Sequence, residues 1–186
     1  MRTSSAKRAA LLGALLAVSI VLSVAENMLG ALVPMPIPGV KLGLANIISM
    51  FLLSYFSLAQ ALAVGILRTL LASLFTGGLG MFLYSAPGAV MSILLMYLAL
   101  RFLKPLTIVG VSMLGACVHN MAQVCVAVLI TGEVNLFYYA FALLIVGAVS
   151  GTITGIVAKV TFGRAAGALN MNNARTQTIN AGQEGS

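Results

Sequence analysis

Aspartate and tryptophan are absent from this 186-residue sequence, and the only acidic residues are Glu26, Glu133 and Glu184. Magnesium is held by carboxylate and phosphate oxygens, so three dispersed glutamates offer no catalytic magnesium site. His119 is the single histidine, and one histidine without a set of companion ligands makes no metal site. No nucleophile and base pair is visible, and no Gly-rich segment is followed by the Lys-Ser/Thr of a phosphate-binding loop. These absences argue against a self-contained enzyme, and no cofactor or metal is expected. The two cysteines, Cys117 and Cys125, are eight residues apart. On one helix they stand about 12 Å apart, too far for a disulfide.

Charge is also scarce, at 7% of residues, whereas soluble domains are about one quarter charged. What replaces it is apolar: 61% of the chain is hydrophobic, the mean hydropathy is +1.10, and the apolar residues run in long blocks. A soluble core of this length needs polar residues to cover its surface, so the solvent for these blocks is lipid. The expected fold is an all-α integral membrane protein of about six transmembrane helices.

Breaks in the apolar pattern place the spans near 9–25, 42–56, 58–75, 82–101, 106–131 and 137–162. Flanking them are a basic N-terminus over 1–8 and a polar tail over 166–186; the transmembrane domain covers 9–165. The tail is rich in Asn, Gln, Gly and Thr from about Asn170 and is expected to be disordered. The second span falls short of the roughly 20 residues of a straight crossing, which requires tilt or shielding of its ends by protein. Residues 1–25 resemble a signal peptide in their basic start and apolar core. No clear cleavage site follows, so they are expected to form a retained first helix.

The formal net charge is +7, but the basic residues sit at the ends of apolar blocks and form no patch for nucleic acid. With six spans drawn, Arg2, Lys7, Arg8, Arg101, Lys104, Lys159, Arg164 and Arg175 fall on one side, which the positive-inside rule makes cytoplasmic. Both termini are then expected in the cytoplasm of a multi-pass plasma-membrane protein.

This topology concentrates the intramembrane polar residues in the outer half. Glu26 and Asn27 end the first span, Lys41 and Asn46 open the second, and Tyr84 and Ser85 open the fourth. Arg68 and His119 lie near mid-membrane, with Asn120 and Gln123 continuing outward. A spacing of four puts His119 and Gln123 on one helical face. A charge at mid-membrane costs about 2.5–3.5 kcal/mol on insertion scales, so Arg68 requires a partner or an anionic ligand. Glu26 is the best internal partner, and two readings stay open: a helix tie or part of a binding site. The candidate binding residues are Glu26, Lys41, Asn46, Arg68, Tyr84, His119, Asn120 and Gln123.

Residues 33–39 carry three prolines and cannot form an ordinary helix; they make a stiff outer loop, either a lid or a plain connector. Gly77, Gly78 and Gly80 supply flexible backbone between the third and fourth spans. The first helix carries small residues four apart at Ala10 and Ala14, with Ala9, Gly13 and Ala17 in a neighbouring register, and the last carries Gly147, Gly151 and Gly155. Such stripes let another helix approach closely, within the bundle or from a partner.

Lys41-Leu-Gly-Leu-Ala-Asn46, Leu67-Arg-Thr69 leading into Gly77-Gly78, Leu83-Tyr-Ser85, and Gly115-Ala-Cys-Val-His-Asn120 followed by Gln123 together resemble the Gx transporter family. Its members are also labelled heptaprenyl diphosphate synthase component I. The family is similar in architecture to the substrate-binding component of energy-coupling factor transporters, a six-helix bundle that captures a vitamin-like molecule. The resemblance implies transport, with a membrane coupling subunit docking on the small-residue face at Ala10 and Ala14 and a pair of cytoplasmic ATPases supplying energy. The synthase label implies instead an accessory subunit, because the Asp-rich clusters of prenyl chain elongation are missing. For the ligand, Arg68, Lys41 and His119 favour an anionic or carbonyl-bearing group, and the apolar surroundings with Phe82 and Tyr84 suit a ring or isoprenoid portion.

Overall fold

A computed structural model describes the backbone of residues 5–31, 43–103 and 106–183, and side chains over 6–28, 43–103 and 106–163. Among the described residues the secondary structure is entirely helical: α1 (Ser5–Ala31), α2 (Asn46–Tyr55), α3 (Leu58–Thr76), α4 (Gly78–Phe102), α5 (Ile108–Thr131), a 3-10 turn (Val134–Phe137) and α6 (Tyr138–Gln183). Five segments are long and apolar enough to cross a membrane: Ala6–Met28, Leu58–Thr76, Gly78–Phe102, Ile108–Thr131 and Val134–Gly163. The protein is an all-α membrane protein.

α2 is the exception. Its 10 residues rise about 15 Å, half the hydrocarbon thickness. Protein shields it: α2 touches each of α3, α4, α5 and α6. Its amino end lies beside Glu26 of α1, where Glu26 accepts a hydrogen bond from the Leu44 amide. Just beyond its carboxyl end, Phe56 lies under Arg8 of the same α1, 5.7 Å from the ring centroid. The short helix thus links the levels of both ends of α1. The expected loop over 33–39 and Lys41 lie outside the described residues.

Local signals set the other boundaries. Ser57 caps α3 with Gln60 in a reciprocal capping box, which separates α3 from α2 after a single break. Thr107 caps α5 by accepting from the Gly110 amide. α4 begins earlier than the span expected over 82–101, and takes in Gly78 and Gly80, the residues read as flexible linker. Gly77 alone separates α3 from α4. The turn is that tight because Gly78 takes φ +70°, a conformation costly for residues with a Cβ. α6 continues to Gln183, where composition predicted an irregular tail from about Asn170. After Gly163 the segment has no proline and several alanines, and the helix runs through both Gly167 and Gly182.

Two apolar clusters hold the bundle. At one end Met50, Leu52, Ala61, Val64, Ile93, Met96, Ala99, Val111, Ala158 and Phe162 form a shared core, with Leu12 and Leu15 of α1 packed against it. Phe51 and Tyr55 of α2 meet the Phe162 ring there, at 5.5 and 6.2 Å between centroids. At the other end Val124, Ala127, Ala140 and Leu143 join α5 to α6. The α5–α6 contact is close because Gly147, Gly151 and Gly155 face α5; a Cβ on Gly151 would stand 2.6 Å from the Met113 Cα, and one on Gly155 2.7 Å from the Val109 Cα. The Ser112 and Thr154 hydroxyls share a hydrogen bond across this seam at 3.0 Å.

Candidate functional site

Polar side chains gather where the amino end of α2 meets α1, α3 and α5. Glu26, Gly43, Ala45, Asn46, Arg68, Ala116 and His119 line a small cavity of about 10 Å³, enough for one water-sized group. Glu26, Asn46, Arg68 and His119 were all candidates from sequence, and four different helices bring them together.

Each is placed by its helix. On α1, Ser19, Ser23 and Glu26 share one face, and all three are buried. Glu26 interacts electrostatically with Arg68 and accepts a hydrogen bond from the Leu44 amide, two residues before α2 begins, where the N-cap Ala45 makes no side-chain cap. A carboxylate there also faces the positive end of the α2 dipole. Arg68 is 2% exposed. Its Nη1 donates to the Ala45 carbonyl at 2.7 Å and to the Ser49 hydroxyl at 3.5 Å, whereas its Nε has no hydrogen-bond partner among the described residues. The Asn46 Nδ2, on a residue 4% exposed, is likewise without one. Two buried donors therefore lack acceptors beside the cavity, a costly state that an oxygen relieves.

On the α5 side, His119 and Gln123 are buried on one face, as their spacing predicted. That face meets α4 at Gly88: a Cβ there would stand 3.0 Å from the His119 carbonyl oxygen and 3.2 Å from both the His119 Nε2 and the Gln123 Cγ. Gly88 is thus a site-forming residue outside the sequence candidates. The available signal was Pro87-Gly88 inside an apolar helix, where proline removes one helix hydrogen bond and glycine admits a neighbour.

The remaining candidates lie apart from the cavity lining. Asn120 donates through Nδ2 to the Leu143 carbonyl at 3.1 Å and ties α5 to α6. Tyr84 packs against the Val124 and Leu143 cluster. Asn27 donates to the Thr76 hydroxyl at 2.8 Å and ties α1 to α3. Ala10 and Ala14 are exposed, and a Cβ on Gly13 between them would meet nothing within 4 Å. Among the described residues no group of three metal-ligating side chains occurs.

Comparison with known proteins agrees with one label of the resemblance. No curated protein and no solved structure matches the sequence. The heptaprenyl diphosphate synthase component I family matches residues 15–161, from the middle of α1 to the end of the apolar part of α6. That stretch contains every described residue of the polar site, and the chain belongs to the heptaprenyl diphosphate synthase component I family.

Proposed function

We propose that this chain is the membrane-embedded substrate-binding subunit of a transport system for a small vitamin-like, flavin- or quinone-related molecule, energised by partner subunits. The observation that carries the reading is the Arg68 guanidinium, buried against α2 with Nε unpartnered among the described residues, on a cavity shared with Glu26, Asn46 and His119. The chain itself carries out no catalysis in this reading, since it has no aspartate and three dispersed glutamates. Its exposed Ala10, Gly13 and Ala14 face gives a coupling subunit a surface for close helix approach.

Both termini lie in the cytoplasm on this proposal, which the distribution of Lys and Arg supports. A cysteine introduced at Gly39 then labels from outside in intact cells, and one at Asn180 does not; external labelling at residue 180 rejects the topology. The binding reading is tested by native mass spectrometry of the purified protein for a co-purifying small molecule. Arg68→Ala weakens its retention about 10- to 100-fold, the range for a hydrogen bond to a charged group. If removing the charge of Glu26 restores the stability of Arg68→Ala and retention is unaffected throughout, the pair is a helix tie only.

The family description favours a second reading, a membrane accessory subunit of heptaprenyl diphosphate synthase in isoprenoid or menaquinone synthesis. Here the partner is a soluble prenyl-transferring subunit. Its co-purification with this chain, in place of a membrane coupling subunit and ATPases, decides between the two.

A further inference from the structure

The binding reading leaves the charge of the ligand open, and the cavity narrows it. Two features of the site attract anions: the Arg68 guanidinium and the amino end of α2. Glu26 already serves both, through its interaction with Arg68 and its hydrogen bond from the Leu44 amide. An anionic ligand would have to stand beside this carboxylate in a water-poor site, where like charges repel far more strongly than in water. The described lining contains one basic residue, Arg68, and one acidic residue, Glu26, with His119 as the remaining titratable group.

Two donors of the site lack an acceptor. The Asn46 Nδ2 and Arg68 Nε are donors only, both buried and both without a partner among the described residues. The cavity they share is about 10 Å³, the room of a single oxygen-sized group. We propose that the site takes the carbonyl oxygen of an uncharged molecule between Asn46 and Arg68, and that Glu26 is a built-in counter-ion which excludes anions, diphosphates included. This rests on the binding reading above and specifies its substrate class.

The test uses the purified full-length protein in nanodiscs with three probes: benzamide, its near-isosteric anion benzoate, and inorganic pyrophosphate. Binding is read by ligand-observed NMR and by the shift of the thermal midpoint. The wild type is expected to prefer benzamide over benzoate by about tenfold and to ignore pyrophosphate. Glu26→Gln keeps an acceptor for the Leu44 amide while removing the charge; the Arg68 charge it leaves uncompensated lowers its thermal midpoint, and its preference should reverse toward benzoate, which restores a counter-charge. Asn46→Ala and Arg68→Ala should each weaken benzamide binding.

Stronger binding of benzoate or pyrophosphate by the wild type, lost in Arg68→Ala, overturns the uncharged-ligand inference and leaves binding at this cluster standing. A benzamide preference that Glu26→Gln leaves unchanged overturns the role of Glu26. If none of the probes binds, or all bind equally to wild type and Arg68→Ala, the binding reading fails with it. A folded thermal transition for each variant separates these outcomes from loss of structure.

Discussion

The α1–α3 pair and the α5–α6 pair are each built from a helix with a small-residue stripe, yet they pack by opposite means. At α5–α6 the stripe is the interface: Gly147, Gly151 and Gly155 lie against α5 main-chain and Cβ atoms, and Ala158 continues the same buried face. At α1–α3 the stripe is left outside. There Ala10 and Ala14 are exposed, and α1 turns Ser19, Ser23, Glu26 and Asn27 inward, with Asn27 bonded to Thr76. The difference teaches that a small residue permits a close approach but does not demand one. Lipid solvates alanine as well as protein does, whereas it leaves a glutamate or asparagine unsatisfied. Polar side chains therefore decide which face of a mixed helix turns inward, and small residues decide how near the neighbour can come.

The most damaging test of this contrast is Gly151→Leu. The added side chain meets the α5 main chain, so the pair must separate and lose both its packing and the Ser112 to Thr154 hydrogen bond. A loss of about 3 kcal/mol or more is expected, seen as little folded protein after detergent extraction. Gly13→Leu, in the corresponding stripe of α1, should leave the thermal midpoint unchanged. Equal damage from both would erase the distinction between the stripes.

Next in size is Gly88→Ala. Its Cβ would press on the His119 carbonyl and the Gln123 side chain, separating α4 from α5 beside the site. A cost of about 1–3 kcal/mol is expected, together with weaker ligand retention in native mass spectra. Retained ligand at full occupancy would detach the His119 and Gln123 face from binding.

Asn27→Ala removes one interhelical hydrogen bond of the α1–α3 pair. Such bonds average about 0.6 kcal/mol in membranes, so a small fall in the thermal midpoint is predicted. A change as large as that of Gly151→Leu would mean that one polar tie does the work of an entire glycine seam.

The smallest effect on stability is expected from Ala10→Trp combined with Ala14→Trp, because both positions are exposed. The folded protein should keep its thermal midpoint and its ligand, yet lose co-purification with a membrane partner and lose uptake. A large drop in stability would show that this face packs inside an assembly of the chain itself. Full uptake would point away from docking at this face and toward a carrier that works without a coupling subunit.

Helix positions were legible because apolar runs and their polar ends are local properties. The shortness of the second span was visible too, since the distance from Lys41 to Ser57 leaves little room for a crossing. Arg68, Glu26, Asn46 and His119 could be named as a group because a charge or amide at membrane depth must find a partner inside the bundle. Tyr84 and Asn120 looked equivalent to them in the sequence. Their turn toward the α6 contact depends on helix rotation of a few tens of degrees, which depth alone does not specify. Gly88 escaped notice because its importance lies in what α5 places opposite it.

The sequence alone determined that this chain is a bundle of apolar helices with its polar residues concentrated around a few positions, because hydropathy and spacing act along the chain and need no partner. Only the tertiary structure decided that α2 is enclosed by four other helices, that the glycine stripe of α6 is buried while the alanine stripe of α1 is exposed, and that Asn46 and Arg68 leave donors unserved beside Glu26. These facts belong to pairs of residues distant in sequence. They are settled by which faces can meet with backbone in contact and charge compensated, a condition no single helix carries within itself.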